Sequence, residues 1–435
     1  MRLNTRPAAA ARTHEGAPAV PPATALAELR RAVSSCMLWE NQFYEDGVAI
    51  ADRIAGLVAK CDPADVAFLA ATARQDLKLR HAPLWLLVAL ANSGQTANAA
   101  VYEAVIDRAD EMGELIAMFW KDGKRPLPAQ MKVGIARAFA KFDSYQLAKY
   151  DRKVSVKLRD VIRLVHPRPA NDDQSAVWKA LIAGDLPSPD TWEVALSAGA
   201  DKQETFTRLL REGKLGYLAL LRNLRNMAEA GVDHGLVRDA IIARKGAHKV
   251  LPFRFVAAAR AAPQFEPALD EALCASIEHL PVLPGRTVVA VDISGSMRSK
   301  LSEKSELTRI DAAAALGCLI HGDVRMIVFA DGAREVAPRR GLAGVDLIRG
   351  KIGVDGYGTN IRAAVALADK IGYDRLILVT DEQSATPVGA PKGRGYVINV
   401  ASYQNGIGYG PWTRINGFSE SVLRYIAATE GIGDC

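Results

Sequence analysis

The β-branched run Thr287-Val288-Val289-Ala290-Val291 stops at Asp292, and Asp292-Ile293-Ser294-Gly295-Ser296 follows at once. A strand that is apolar without alternation is buried on both faces, which requires a parallel sheet covered by helices on each side. Comparable runs recur at 324–329, 376–380 and 396–400. Helical stretches fall between and after them, at 308–320, 361–371 and 419–428. This alternation predicts an open α/β fold with a mostly parallel sheet. It begins after Pro281-Val282-Leu283-Pro284-Gly285, whose prolines and glycine mark a linker.

Before that linker the grammar is helical. Phe206, Leu209 and Leu210, then Tyr217, Leu220, Leu221 and Leu224, recur at spacings of three and four, which puts them on one helix face. Asp62-Pro63 suits an N-cap followed by the first helical position. Breakers at Asn92-Ser93-Gly94, Asp122-Gly123, His166-Pro167, Gly184-Asp185 and Gly231 divide the stretch into helix pairs. Pairs of that size predict an α-solenoid of HEAT or armadillo kind, whose repeats run ~40–47 residues. The expected organisation is therefore a flexible tail over 1–24, a helical module over 25–284 and an α/β domain over 285–435.

Composition narrows the function classes. Apolar residues make up 49% of the 435 residues and charged residues 24%, which argues against a disordered or fibrous chain. No apolar run approaches the ~18 residues of a membrane span. The five cysteines (36, 61, 274, 318 and 435) are scattered and lack a CxxC pair, as for reduced thiols in a cytoplasmic protein with no zinc site.

The net charge of +6 is modest, but its distribution is not even. Between 121 and 168 stand thirteen Lys or Arg against four acids, a local excess larger than that of the whole chain. Such concentration is the footprint of a phosphate-backbone binder. Phe139, Phe142, Tyr145 and Tyr150 are interleaved with it and are candidates for stacking on unpaired bases.

The Asp292 loop carries oxygen donors at a strand's C-terminal end, where open α/β sheets bind ligands. Asp292 offers a carboxylate, and Ser294 and Ser296 offer hydroxyls. Thr359, in Gly356-Tyr357-Gly358-Thr359-Asn360, and Asp381, after the run 376–380, are placed to join them. Hard oxygens of this kind suit Mg²⁺ with retained waters. DxSxS with a later Thr and a later Asp resembles the metal-ion-dependent adhesion site of von Willebrand factor A domains. The resemblance implies Asp292, Ser294, Ser296, Thr359 and Asp381 as ligands, with one coordination position left for an acidic partner residue. Tyr357 departs from the glycine common there.

Tyr145-Gln146-Leu147-Ala148-Lys149-Tyr150 followed by Leu164-Val165-His166-Pro167 resembles the TROVE module of the Ro autoantigen and its bacterial relatives. So do Trp39-Glu40-Asn41-Gln42-Phe43-Tyr44-Glu45-Asp46-Gly47, Thr191-Trp192-Glu193, Leu221-Arg222-Asn223-Leu224 and Leu251-Pro252-Phe253-Arg254. The resemblance implies a ring of HEAT-like helix pairs with a basic central hole, joined to the A domain. It implies binding of Y-like RNA on the outer surface and of single-stranded 3′ ends of misfolded RNA in the hole. It implies RNA contacts at Lys149, Lys153 and His166, and an exoribonuclease tethered through RNA. Lys153 stands where the animal protein has arginine.

The expected protein is thus a monomeric cytoplasmic RNA-binding scaffold of noncoding-RNA quality control. No nucleophile–base pair, Walker A or H-E-x-x-H motif is present, so no enzyme is expected. The rival reading is a metal-dependent protein-interaction module whose helical solenoid binds peptides. A weaker rival is a Mg²⁺-dependent phosphohydrolase.

Overall fold

The structure is a computed structural model. It describes residues 12, 24–35, 47–77, 79–151, 154–250, 252–278, 280–300, 307–320, 322–401, 406, 410–416 and 421–432. The expected tail, apart from Arg12 and Thr24, lies outside them, as do residues 39–46. The chain forms two compact units, one from residues 1–50 with 247–435 and one from 51–246.

The unit 51–246 is built of helices throughout. Asp62 is an extended N-cap whose carboxylate accepts from the Ala64 N–H at 2.8 Å, with Pro63 opening helix Pro63–Gln75. Gly184 closes helix Asp172–Ala183 in the left-handed region at φ 87°. Phe206, Leu209, Tyr217, Leu220, Leu221 and Leu224 are buried as their spacing predicts, each contributing roughly 1.5–3 kcal/mol, while Leu210 is only half-buried. Helices Ala99–Val105 and Ala129–Phe139 approach so closely that a Cβ on Gly134 would lie 2.4 Å from the Tyr102 Cβ. Glu111 is fully buried, and its charge is compensated. It accepts from Arg74 at 2.8 and 2.9 Å and from the N–H groups of Asp107 and Arg108.

The other unit contains a six-stranded sheet. Its strands are β1 (Arg286–Asp292), β2 (Asp323–Phe329), β3 (Ala333–Val336), β4 (Arg375–Thr380), β5 (Arg394–Asn399) and β6 (Thr413–Asn416), in the order β3-β2-β1-β4-β5-β6. All neighbours run parallel except the hairpin of β2 with β3. The four long strands fall where the apolar runs predict. Edge strands β3 and β6 and helix Gly341–Arg349 carry no such run and come from the structure. One core layer sets Val288, Ala290, Ile327, Phe329, Leu376 and Leu378 against Ile361, Ala364 and Ala368 of helix Ile361–Ile371.

Helices on both sides of the linker join this unit. Helices Phe253–Ala261 and Glu266–Ile277 pack against Arg309–Leu319 and Gly341–Arg349 respectively, and helix Ala25–Ser35 packs against β6. The change in grammar at 281–285 is a change of secondary structure within one packing unit.

Candidate functional site

Register places the oxygen donors at one edge of the sheet. Asp292 ends the central strand β1 opposite Phe329 of β2, and Val291 pairs with Val379 of β4. Thr380 then sits beside Asp292, and its hydroxyl donates to Asp292 Oδ2 at 2.6 Å. Asp292 Oδ1 accepts from the Ser294 N–H at 2.9 Å, which turns the loop back over the strand end. The Ser294 and Ser296 hydroxyls lie 3.2 Å apart.

Two further loops are tied to this one. The Gly295 N–H donates to the Tyr357 carbonyl at 2.8 Å, and the Ala385 N–H donates to the Thr359 carbonyl at 2.7 Å. The structure thus links the Asp292, Thr359 and Asp381 loops directly. Asp292, Ser294, Thr359 and Asp381 are buried and Ser296 is half-buried. Asp331, after β2, braces the Thr359 loop, its carboxylate accepting from the Tyr357 N–H at 3.1 Å. A Cβ on Gly356 would lie 1.7 Å from Asp331 Oδ2, and Gly356 has φ 87°, so only glycine fits.

Two carboxylates crowd each other at this strand end. Burial, and after it the charge of Asp381, push the Asp292 carboxyl up to about 7. Sequence reasoning missed a nearby positive group: buried Arg309 reaches Asp381 Oδ2 at 3.6 Å. A buried arginine leaves no periodic signature, and the capping box of Thr308 and Asp311 announces only the helix that holds it. Beside Asp381, Glu382 adopts φ 65° and pairs with Arg414 of β6. Arg31 of helix Ala25–Ser35 approaches the same group around Gly406. Burial and the charge of Arg31 hold the Arg414 pKa well below its ordinary value. Among the described residues no group of three or more His, Cys, Asp or Glu is placed to hold a metal.

The basic segment lies in the helical unit, where the structure sorts its side chains. Lys141 donates to the carbonyls of Glu103 and Ile106, and Arg125 donates to Asn92 and the Phe119 carbonyl. These charges serve the fold. Lys149 lies over the Tyr145 and Tyr150 rings at 5.8 Å each. It lines a cleft of about 530 Å³ together with Asp151, Thr191 and Glu193. His166 lines a different cleft, of about 550 Å³, with Lys132, Arg137 and Arg168. Lys149 and His166 are therefore not brought into one cleft, and Lys153 lies outside the described residues. His166 is a left-handed C-cap, at φ 49° and ψ 58°, immediately before Pro167. That backbone is costly for a non-glycine residue, and its side chain is exposed.

Two of the four aromatic candidates are not available for stacking. Phe139 and Phe142 are buried, and Phe139 meets Trp178 edge-on at 5.4 Å. Tyr145 is 41% exposed, and Arg108 covers the Tyr150 ring at 4.6 Å.

Residues 170–278 match the TROVE domain. Over 87 residues the chain is 34% identical to telomerase protein component 1 of Mus musculus and 33% identical to that of Rattus norvegicus. Each match spans 18% of this chain and 3% of the much longer relative. The Ro (RSR) protein of Deinococcus radiodurans superposes with a TM-score of 0.60 at 18% identity, covering 93% of this chain and 99% of that one. The match at 170–278 begins just past the basic segment, and the superposition takes in both units. Residues 170–278 thus resemble a TROVE domain, and the fold, with its six-stranded unit like a von Willebrand factor A domain, resembles that of the Deinococcus radiodurans Ro protein.

Proposed function

We propose that the chain is an RNA-binding scaffold of noncoding-RNA quality control. It binds Y-like RNA on an outer face of the helical unit, and it binds single-stranded 3′ ends of misfolded RNA. The observation that carries this reading is the basic segment of the helical unit. The side chains of Lys132, Arg137, His166 and Arg168 have no hydrogen bond or ion pair among the described residues and converge on one cleft. Uncompensated cations held together repel one another, and a polyanion relieves them. Lys149, Lys153 and His166 are the proposed Y-RNA contacts.

The Asp292 loop is the proposed site of Mg²⁺ or another hard divalent cation, and it is separate from the RNA site. Asp292 and Asp381 would hold the ion, with Ser294, Ser296 and Thr359 as neutral oxygens and waters completing the shell. Two buried carboxylates crowding each other support this fit, and Arg309 offsets part of their charge. The bound ion would offer an acidic side chain of a partner a coordination position. The protein acts in the cytoplasm as a monomer without catalytic activity, and an exoribonuclease is recruited through the bound RNA.

The test compares a blunt RNA duplex with the same duplex carrying an unpaired 3′ tail. An unpaired strand enters a narrow basic channel that excludes an A-form duplex, so the tailed RNA binds more tightly. Equal affinities would refute the 3′-end reading. Absence of binding to either RNA would refute the RNA reading altogether.

A further inference from the structure

The cleft beside His166 has a feature that phosphate binding leaves unexplained. Its rim is cationic but its floor is apolar, made by Val133, Ala136, Val165 and Pro167. Val133 is 44% exposed, on the same face of helix Ala129–Phe139 as Ala136 and Arg137. A duplex backbone presents only sugar and phosphate to such a surface and covers none of its apolar area usefully. An unpaired nucleotide presents both chemistries, a flat base with an apolar face and phosphates on either side of it. A volume of about 550 Å³ falls within the range of small-molecule pockets and admits one nucleotide.

We infer that this cleft takes one unpaired nucleotide of the bound RNA, with its base on the Val133–Ala136–Val165–Pro167 floor and its flanking phosphates on Lys132, Arg137 and Arg168. The inference rests on the RNA-binding reading and adds to it a place where a single base is held. The left-handed turn at His166 ends helix Leu158–Val165 and sets the imidazole at the mouth, next to Pro167. The neighbouring cleft at Lys149 lacks this character, because Asp151 and Glu193 line it as well.

The probe is a hairpin RNA with a single bulged nucleotide and a short 3′ tail, each unpaired position being varied in turn. With wild-type protein, making one position abasic weakens binding about fivefold or more while the other positions matter little. Ala136→Trp fills the floor from an accessible helix face and produces the same loss, and the abasic change then costs nothing further. Arg137→Ala weakens every version of the probe alike. Guanosine monophosphate competes only at far higher concentration, because it lacks the neighbouring phosphate.

If no abasic position matters and only Arg137→Ala weakens binding, the cleft is a phosphate contact and the inference fails while the RNA reading stands. If the mononucleotide binds as tightly as the hairpin, the cleft serves a free nucleotide and the inference fails. If wild-type protein binds no hairpin, the RNA reading and the inference fall together. The abasic series needs no altered protein, so a folding defect in Ala136→Trp leaves the test decisive.

Discussion

Arg137 and Lys141 are cations four residues apart in one basic segment, yet the structure gives them different work. Arg137 is exposed, and its side chain lines the His166 cleft without a partner among the described residues. Lys141 spends its ammonium on the carbonyls of Glu103 and Ile106, where desolvation lowers its pKa. Replacing each by alanine separates binding from folding. Arg137→Ala removes one phosphate contact, so the slope of log K against log salt falls by about 0.7. Between 50 and 200 mM salt the wild type then loses about 2.6-fold more affinity than the variant does. Its stability stays within about 0.5 kcal/mol, as for an exposed side chain without partners. Lys141→Ala leaves the slope unchanged and costs about 1–2 kcal/mol of stability, at roughly 1 kcal/mol for each lost hydrogen bond. Fluorescence titrations at several salt concentrations, with urea unfolding of the same samples, measure both quantities. The reasoning is refuted if Lys141→Ala flattens the salt slope as much as Arg137→Ala does while stability is unaffected.

Three further outcomes follow from the sheet edge. Asp292→Ala abolishes Mg²⁺ binding in calorimetry yet leaves RNA affinity within a few-fold, because the basic residues belong to the other unit; loss of RNA binding from a folded variant would contradict that separation. Gly356→Ala forces a Cβ into the Asp331 carboxylate at positive φ, so it should destabilise by about 2–4 kcal/mol, and an unchanged melting temperature would rule out the brace. Asp292 titrates near 3.8 unfolded and is pushed up to about 7 in the fold, so between those values the folded chain holds a proton that the unfolded chain lacks. In chelated protein, stability therefore falls as pH rises through that window. Added Mg²⁺ removes the fall, and an identical decline in Asp292→Asn would dissociate it from this carboxyl.

How far the sequence could be read depended on whether a residue's role was local. The cap of Asp62 and Pro63 and the turn at Gly184 are settled within a few residues, and all were legible. So were β1, β2, β4 and β5, whose burial on both faces imposes continuous apolar runs. Strands β3 and β6 escaped notice because an edge strand of four residues carrying Arg334 and Glu335, or Arg414, has no such requirement. The three donor loops were recognisable as separate motifs, but Arg309 beside Asp381 was not, since only the fold brings it there. The basic segment was visible as composition. Its division into cations that serve the fold, such as Lys141, and cations that face a cleft, such as Arg137, depends on distant carbonyls. Phe139 and Phe142 looked available for stacking only until packing placed them inside.

The packing of helix Ala25–Ser35 against β6 also sets a clock. This helix is made well before Thr413–Asn416. At about 5–20 residues per second, roughly 20–75 s of synthesis separate them. During that interval residues 51–246 emerge as a continuous stretch able to complete their own core. Leu29, Ala32 and Val33 meanwhile lack the strand that will cover them. The nascent chain therefore carries a helix with an uncovered apolar face until β6 is made, and whatever shields that face must act on the ribosome.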